Sequence, residues 1–289
     1  MKSKKSKTLI IGDSHIEEGN IPELEDIFQE IFSISATKLI HLGDFYDKAS
    51  PTPKEISFGT RIAKKMKEIY KDVTILAGNG GHEYYHEGNI TDYLTVLGIN
   101  IVKGNYEFDN MLFGHWMVNE SKLEYGTGRC SMESLKQYKI VFLGHQHLYQ
   151  KLSKRIYHLG SIFYKTFGEI DDEYKRVVVI ENNKLTFIPL IHPIPMRDIY
   201  SIEEGEKLDK KTKVRLIFKD FKTFKENVNN IQNLKNKFHR FQLKLDFKEE
   251  KKQIEEPKQK KKVKLEELFR KAVSNIKDNE VKSLIESQL

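Results

Sequence analysis

The chain has 289 residues, 38% of them hydrophobic, enough for one large domain with a sizeable core plus something smaller at ~150 residues per domain. Lysine and arginine number 49 against 42 acidic residues, a net charge of +7 that leans toward a polyanionic partner without naming one. The single cysteine, Cys130, excludes an intrachain disulfide framework; no apolar run approaches the ~20 residues of a membrane span, and the N-terminus lacks the apolar segment of a secretory signal, so an intracellular, cytoplasmic protein is expected.

In chain order, Thr8 to Ile11 is a short β-branched run that reads as a buried strand, stopping at Gly12-Asp13-Ser14-His15. Leu24, Ile27, Phe28 and Ile31 predict a helix over 21–32. Lys38 to Leu42 predicts a second strand, stopping at Gly43-Asp44, and Pro53 to Lys71 a second helix with Ile56, Ile62, Ala63, Met66 and Ile69 on one face. Val73 to Ala77 predicts a third strand, stopping at Gly78-Asn79. Strand, helix, strand, helix, strand is the pattern of a parallel α/β sheet. Later strands, at 111–113, 140–143, 155–158, 176–180 and 185–189, read as antiparallel or mixed. After Pro193 and Pro195, Lys213 to Phe218 predicts a strand, Phe221 to Phe238 a helix and Phe241 to Phe247 a half-buried strand, a compact βαβ unit. The expected boundaries are 1–192, 193–247, a charged linker over 248–264 and a helical segment over 265–289.

The residues able to hold a metal ion fall at strand ends. Asp13 and His15 follow the first strand, Asp44 the second and Asn79 the third. His115 follows 111–113, and His145 and His147 follow 140–143. Ligands of α/β sheets bind beyond the carboxyl ends of strands, so five strand ends deliver carboxylates, imidazoles and an amide to one rim. Taken singly, Asp44 reads as a helix cap, Asn79 as a turn residue and His115 as a packed histidine. The ordered set outweighs those readings. Mixed Asp, His and Asn ligands without a thiolate suit a divalent ion such as Mn²⁺, with Fe or Zn as alternatives. Two ions sharing one carboxylate take about seven protein ligands, and such a pair clamps the attacking and leaving oxygens of a displacement at phosphorus.

Asp13-x-His15, Gly43-Asp44-x-x-Asp47, Gly78-Asn79, His115 and Gly144-His145-x-His147 together resemble the calcineurin-like metallophosphoesterase signature. The resemblance implies a two-layered α/β β-sandwich with flanking helices. It places Asp13, His15 and His147 on a first ion, Asp44 as the bridge, and Asn79, His115 and His145 on a second. Phe113-Gly114-His115-Trp116, Leu143-Gly144-His145-Gln146-His147, Tyr157-His158-Leu159-Gly160-Ser161 and Phe167-Gly168-Glu169 resemble the SbcD-type, meiotic-recombination-eleven family of nuclease subunits, notably its phage members. By that resemblance the chain is a Mn-dependent DNA exo/endonuclease of a double-strand-break repair complex. It would be a homodimer without a membrane partner, with a small α+β DNA-capping domain at 193–247 and C-terminal helices that dock on an ABC-type, SMC-like ATPase.

One motif departs from the family. Its usual Gly-Asn-His-Asp/Glu, whose histidine assists the leaving group, here reads Gly78-Asn79-Gly80-Gly81-His82-Glu83. Either two glycines are inserted and His82 still reaches the site as the catalytic acid, or Gly80 occupies the position and the role is lost. His86 is a weaker substitute, and His41, His158, His192 and His239 read as structural or surface residues. Lys213, Arg215 and Lys222, with further lysines of the βαβ unit, are the expected DNA-phosphate contacts. Two other functions compete with the nuclease: a metallophosphoesterase of small substrates, and a non-catalytic DNA-end or ATPase-binding scaffold that has lost its acid.

Overall fold

Leu9, Ile10 and Ile11 are all fully buried, so the first strand must be covered on both faces. The computed structural model shows how. It describes residues 7–78, 81–85, 88–122, 129–238 and 240–247; Asn79, His86, His239, the linker at 248–264 and the helical segment at 265–289 lie outside the described residues. Two compact units divide the chain, Met1–Ile194 and Pro195–Leu289.

The first unit runs β1 (Thr8–Ile11), α1 (Ile21–Phe32), β2 (Lys38–His41), α2 (Pro53–Ile69), β3 (Asp72–Leu76), a small hairpin of β4 (Tyr84–Tyr85) and β5 (Gly88–Asn89), β6 (Asn100–Val102), β7 (Tyr106–Phe108), β8 (Met111–Gly114), β9 (Ile140–Leu143), β10 (Gln150–Lys151), β11 (Ile156–His158), β12 (Arg176–Glu181) and β13 (Lys184–Pro189). One sheet has the order β13-β12-β1-β2-β3-β6, the other β10-β11-β9-β8-β7. The α/β sandwich with flanking helices is thus the fold. In the first sheet β1, β2, β3 and β6 are parallel, and β12 and β13 return antiparallel. In the second the three central strands, β8, β9 and β11, are parallel, which apolar runs alone do not reveal. Asp109-Asn110 and Asn182-Asn183 turn the antiparallel hairpins with both residues at positive φ, the backbone that two-residue hairpins need.

Period-two alternation assigns the faces. Leu9, Ile11 and Leu39 meet Leu24, Ile27 and Phe28 of α1 and Phe58, Ile62 and Met66 of α2. Ile10, Ile40 and Val178 point the other way and meet Phe113, Phe142 and Tyr157 of the second sheet. Leu112, Val141 and Ile156, on that sheet's far face, are covered by Trp116, Val118 and Leu135. Thr52 caps α2 through Glu55 N–H, Glu55 returns to the Thr52 N–H, and Pro53 opens the first turn. Among the described residues no helix is long and apolar enough to cross a membrane.

The second unit contains β14 (Met196–Ile199), α3 (Ile202–Glu206), β15 (Lys213–Phe218), α4 (Phe221–Asn227), α5 (Ile231–Lys237) and β16 (Arg240–Leu245). Its three strands are all parallel with β15 central. The βαβ pattern predicted neither β14 nor α3. The single helix expected over 221–238 is two helices joined by a 3-10 turn at Val228–Asn230, so that Phe224, Ile231 and Leu234 can all reach the core.

The two sheets of the first unit come together where β1 and β11 end. Ile162 N–H donates to the Asp13 carbonyl (3.0 Å), and a Cβ on Gly12 would stand 1.7 Å from the carbonyl oxygen of Gly160. Backbone cannot move out of that contact as a side chain would. Gly12→Ala should therefore cost about 1–3 kcal/mol, the range for overpacking, read as a lowered thermal midpoint. An unchanged midpoint would show that these strand ends are not in contact.

Candidate metal centre

Beyond β1, the chain turns sharply enough that Asp13 and His15 both point inward, each fully buried. His15 takes φ +39, and its N–H donates to the Asp44 carbonyl (2.8 Å). Asp44, beyond β2, takes φ +47, and His145, beyond β9, takes φ +73. Left-handed backbone is uncommon for such residues and costs on the order of 1–3 kcal/mol each. Apart from two hairpin turns of Asp and Asn, these three positions are where non-glycine residues adopt it among the described residues. Gly78 makes room for the carboxylate: a Cβ there would stand 2.0 Å from Oδ1 of Asp44.

Three overlapping groups result: Asp13, His15 and His147; His15, Asp44 and His82; Asp44, His115 and His145, each with ligand atoms within 4.8 Å of one another. Asp44 belongs to two of them. Its Oδ2 lies 3.1 Å from Nε2 of His115 and 3.6 Å from Nε2 of His15. His15 and His147 bring their Nε2 atoms to 2.8 Å. Asn79 lies outside the described residues.

The outward nitrogen of several rings is engaged, which fixes the other toward the pocket. Nδ1 of His115 donates to the Leu42 carbonyl (2.8 Å), Nδ1 of His15 faces Asp47 (3.1 Å), and Nδ1 of His82 donates to the Asp47 carbonyl (2.6 Å). His82 therefore does reach the site. Its ring centroid is 4.8 Å from that of His15, and at 35% exposure it stands at the open edge. Glu83 explains how. It is fully buried and accepts N–H groups from Phe45 (2.5 Å), Tyr46 (3.2 Å) and Gly78 (2.5 Å), tying the loop after β3 to the turn that carries Asp44. Burial nonetheless pushes its carboxyl up to about 7.

Electrostatically the pocket calls for positive charge. Burial, opposed by His115 and reinforced by Asp44, pushes the Asp13 carboxyl well above its usual range. At Asp44 burial acts the same way, but His115 and His15 overcome it and hold the carboxyl well below that range. Burial disfavours a charge on His115, yet Asp44 and Asp13 hold its imidazole up to about 10. Burial lowers His15 and His147 and takes His145 to about 4, leaving them neutral and able to bind a cation. Oδ1 of Asp13 is buried without a hydrogen-bond partner among the described residues. Buried carboxylates, neutral imidazoles and an unsatisfied oxygen fit divalent ions of the Mn, Fe or Zn type.

Two site expectations need correction. Lys213 is buried in the second unit, so it does not present its ammonium to a DNA phosphate, and Arg215 is held by both oxygens of Asp198 at 2.7 Å. Lys222 is exposed. In the other direction, Lys165 lies at the pocket, 2.9 Å from Nδ1 of His15 and ion-paired with Asp47. No spacing rule singles it out; only its place between Ser161 and Phe167, inside the span of the resemblance, hinted at it. Of the remaining histidines, His41 and His158 are buried in supporting positions, burial taking them to about 3 and about 4. His192 pairs with Glu30 at 2.8 Å, away from the pocket residues.

The sequence matches the calcineurin-like phosphoesterase family over residues 6–179. No curated protein matches the sequence. Among solved structures, the chain is similar to a Vps29 single mutant from Entamoeba histolytica (12% identity, 64% of this chain and 99% of that one, TM-score 0.37) and to the nuclease MPE of Pseudomonas putida (16%, 63% and 87%, TM-score 0.36). A putative diadenosine tetraphosphatase is similar to a like degree (15%, 66% and 96%, TM-score 0.33). Since the match takes in every strand end from which the buried carboxylates and imidazoles converge, the chain belongs to the calcineurin-like phosphoesterase family of metal-dependent hydrolases.

Proposed function

We propose that the chain is the nuclease subunit of a DNA double-strand-break repair and recombination complex, hydrolysing DNA phosphodiesters with two divalent ions, Mn²⁺ foremost. In this reading Asp13, His15 and His147 hold one ion, Asp44 bridges, and His115 and His145, with Asn79, hold the other. Ions held there would polarise the phosphoryl oxygens and lower the pKa of water. The chain's own contribution beyond holding them is His82. With Nδ1 held at the Asp47 carbonyl, its ring stands 4.8 Å from that of His15 and 35% exposed, where a leaving oxygen would take up a proton. That placement is the observation that carries the hydrolytic reading over the scaffold reading.

DNA as substrate is supported by charge. Lys and Arg outnumber Asp and Glu between Pro195 and Phe247, and Lys219, Lys222 and Lys225 are exposed there. The ABC-type, SMC-like ATPase partner and a homodimer follow from the resemblance of the sequence motifs. A monomeric mass in solution would count against the dimer.

Linear DNA incubated with Mn²⁺ tests the reading. The wild-type chain should cut; Asp44→Asn should be inactive and should lose the Mn²⁺-induced rise in thermal midpoint that comes from binding the native state alone. His82→Ala should keep that rise while activity falls ~10²–10⁴-fold. Full activity of His82→Ala would remove the histidine from the mechanism, and a wild type that binds Mn²⁺ and DNA but never cuts would return the scaffold reading. Separately, DNA affinity should fall steeply with salt, and Lys222→Gln should reduce the log–log slope by about 1. An unaltered slope would take Lys222 out of the interface.

A further inference from the structure

Lys165 is a cation in the wall of a pocket built to take cations. Its ammonium lies 2.9 Å from Nδ1 of His15 and pairs with the Asp47 carboxylate, which Nδ1 also faces at 3.1 Å. A divalent ion on His15 would be repelled by that ammonium across the width of one imidazole, where burial leaves little water to screen it. For metal binding alone, a neutral or acidic side chain would serve better.

The position is nevertheless enforced. The backbone N–H of Lys165 donates to Oε1 of Glu169 (3.1 Å), as does that of Thr166 (2.7 Å). Glu169 is in turn held by the fully buried Lys175 (2.6 Å), whose ammonium also donates to the His147 carbonyl (3.1 Å). The loop that carries Lys165 is thus pinned to the network that holds His147. Lys165 is 17% exposed, and it flanks Asp47 on the carboxylate side while His82 flanks it at the carbonyl. Both side chains border the open edge.

We propose that Lys165 is a phosphate-binding residue. Its ammonium meets an anionic oxygen of the substrate phosphate beside His82, and so sets affinity for the phosphoryl group at some expense of affinity for metal. Asp47 already balances the ammonium within the wall, and a phosphate oxygen arriving at the open edge would be attracted by both the ions and the ammonium. The inference rests on the reading of the chain as a metal-dependent phosphoester hydrolase, and the experiment separates the two.

Mn²⁺ binding to the full chain, and inorganic phosphate binding to the Mn²⁺-loaded chain, would be measured by calorimetry for wild type, Lys165→Met and Lys165→Arg. KM and kcat would be measured with bis(p-nitrophenyl) phosphate. Lys165→Met should bind Mn²⁺ as tightly as wild type or more so, bind phosphate about tenfold more weakly, and raise KM more than it lowers kcat, as expected for one charge-assisted hydrogen bond. Lys165→Arg should recover most of the phosphate affinity. A loss of Mn²⁺ affinity in Lys165→Met would make the lysine a structural part of the metal wall and overturn the proposal, as would unchanged phosphate affinity. Should Lys165→Met show no melting transition, Lys165→Gln is held to the same criteria. Wild type that binds neither Mn²⁺ nor phosphate would instead bring down the hydrolase reading itself, and this proposal with it.

Discussion

Asp13 and Asp44 are both buried within one pocket, and two carboxylates so placed cannot be ionised together unless positive charge joins them. Much of the first unit can be understood as the answer to that demand. His115 stands between them, Nε2 3.1 Å from Asp44 and Nδ1 3.8 Å from Asp13, and His15 and His147 bring their Nε2 atoms together at 2.8 Å. The backbone bears part of the cost, since His15, Asp44 and His145 sit in left-handed conformations. Such strain persists where the surroundings over-determine it, and here they do. Glu83 gathers three N–H groups, the Asp13 side chain accepts the His145 N–H at 2.9 Å, and the His15 N–H is fixed on the Asp44 carbonyl.

Behind the pocket lies a second set of buried charges that shows the same logic without a ligand. Lys175 reaches Glu169 at 2.6 Å and Asp172 at 3.2 Å, and Arg176 also pairs with Asp172. Lys175 and the neighbouring opposed charges hold the Glu169 carboxyl down to about 2 even though burial favours its neutral form. Buried pairs of this kind rarely add much net stability, but removing one partner strands the other and costs about 3–5 kcal/mol. Their worth here is positional. The network touches the His147 carbonyl, the loop of Lys165 and Ser161, so it fixes where the pocket's inner and outer walls stand.

The two units contribute different kinds of evidence about function. The first holds the groups that could act on a phosphoryl centre, and its family membership agrees with them. The second is a small parallel sheet with a helical cover, which exposes Lys219, Lys222 and Lys225. Keeping these apart matters, because phosphoester chemistry is common to the family while the choice of substrate is not.

The strand ends and the carboxylates and imidazoles that follow them were legible in the amino-acid sequence, because an apolar β-branched run followed by glycine encodes its own strand and its own exit. Asp13, His15, Asp44, His115, His145 and His147 were found that way, as were the flanking helices, whose periodicity marks one buried face. Only the tertiary structure decided what depends on a partner distant in sequence. An apolar strand does not state the direction of its neighbour, so the parallel centre of the second sheet was not readable. The two inserted glycines left His82 undecided until Glu83 was seen to tie that loop beside Asp44. A lysine in a basic stretch looks the same whether it is exposed, as Lys222 is, buried, as Lys213 is, or turned into the pocket, as Lys165 is. Side-chain type and spacing are local properties; burial, pairing and protonation are set by what folding brings alongside.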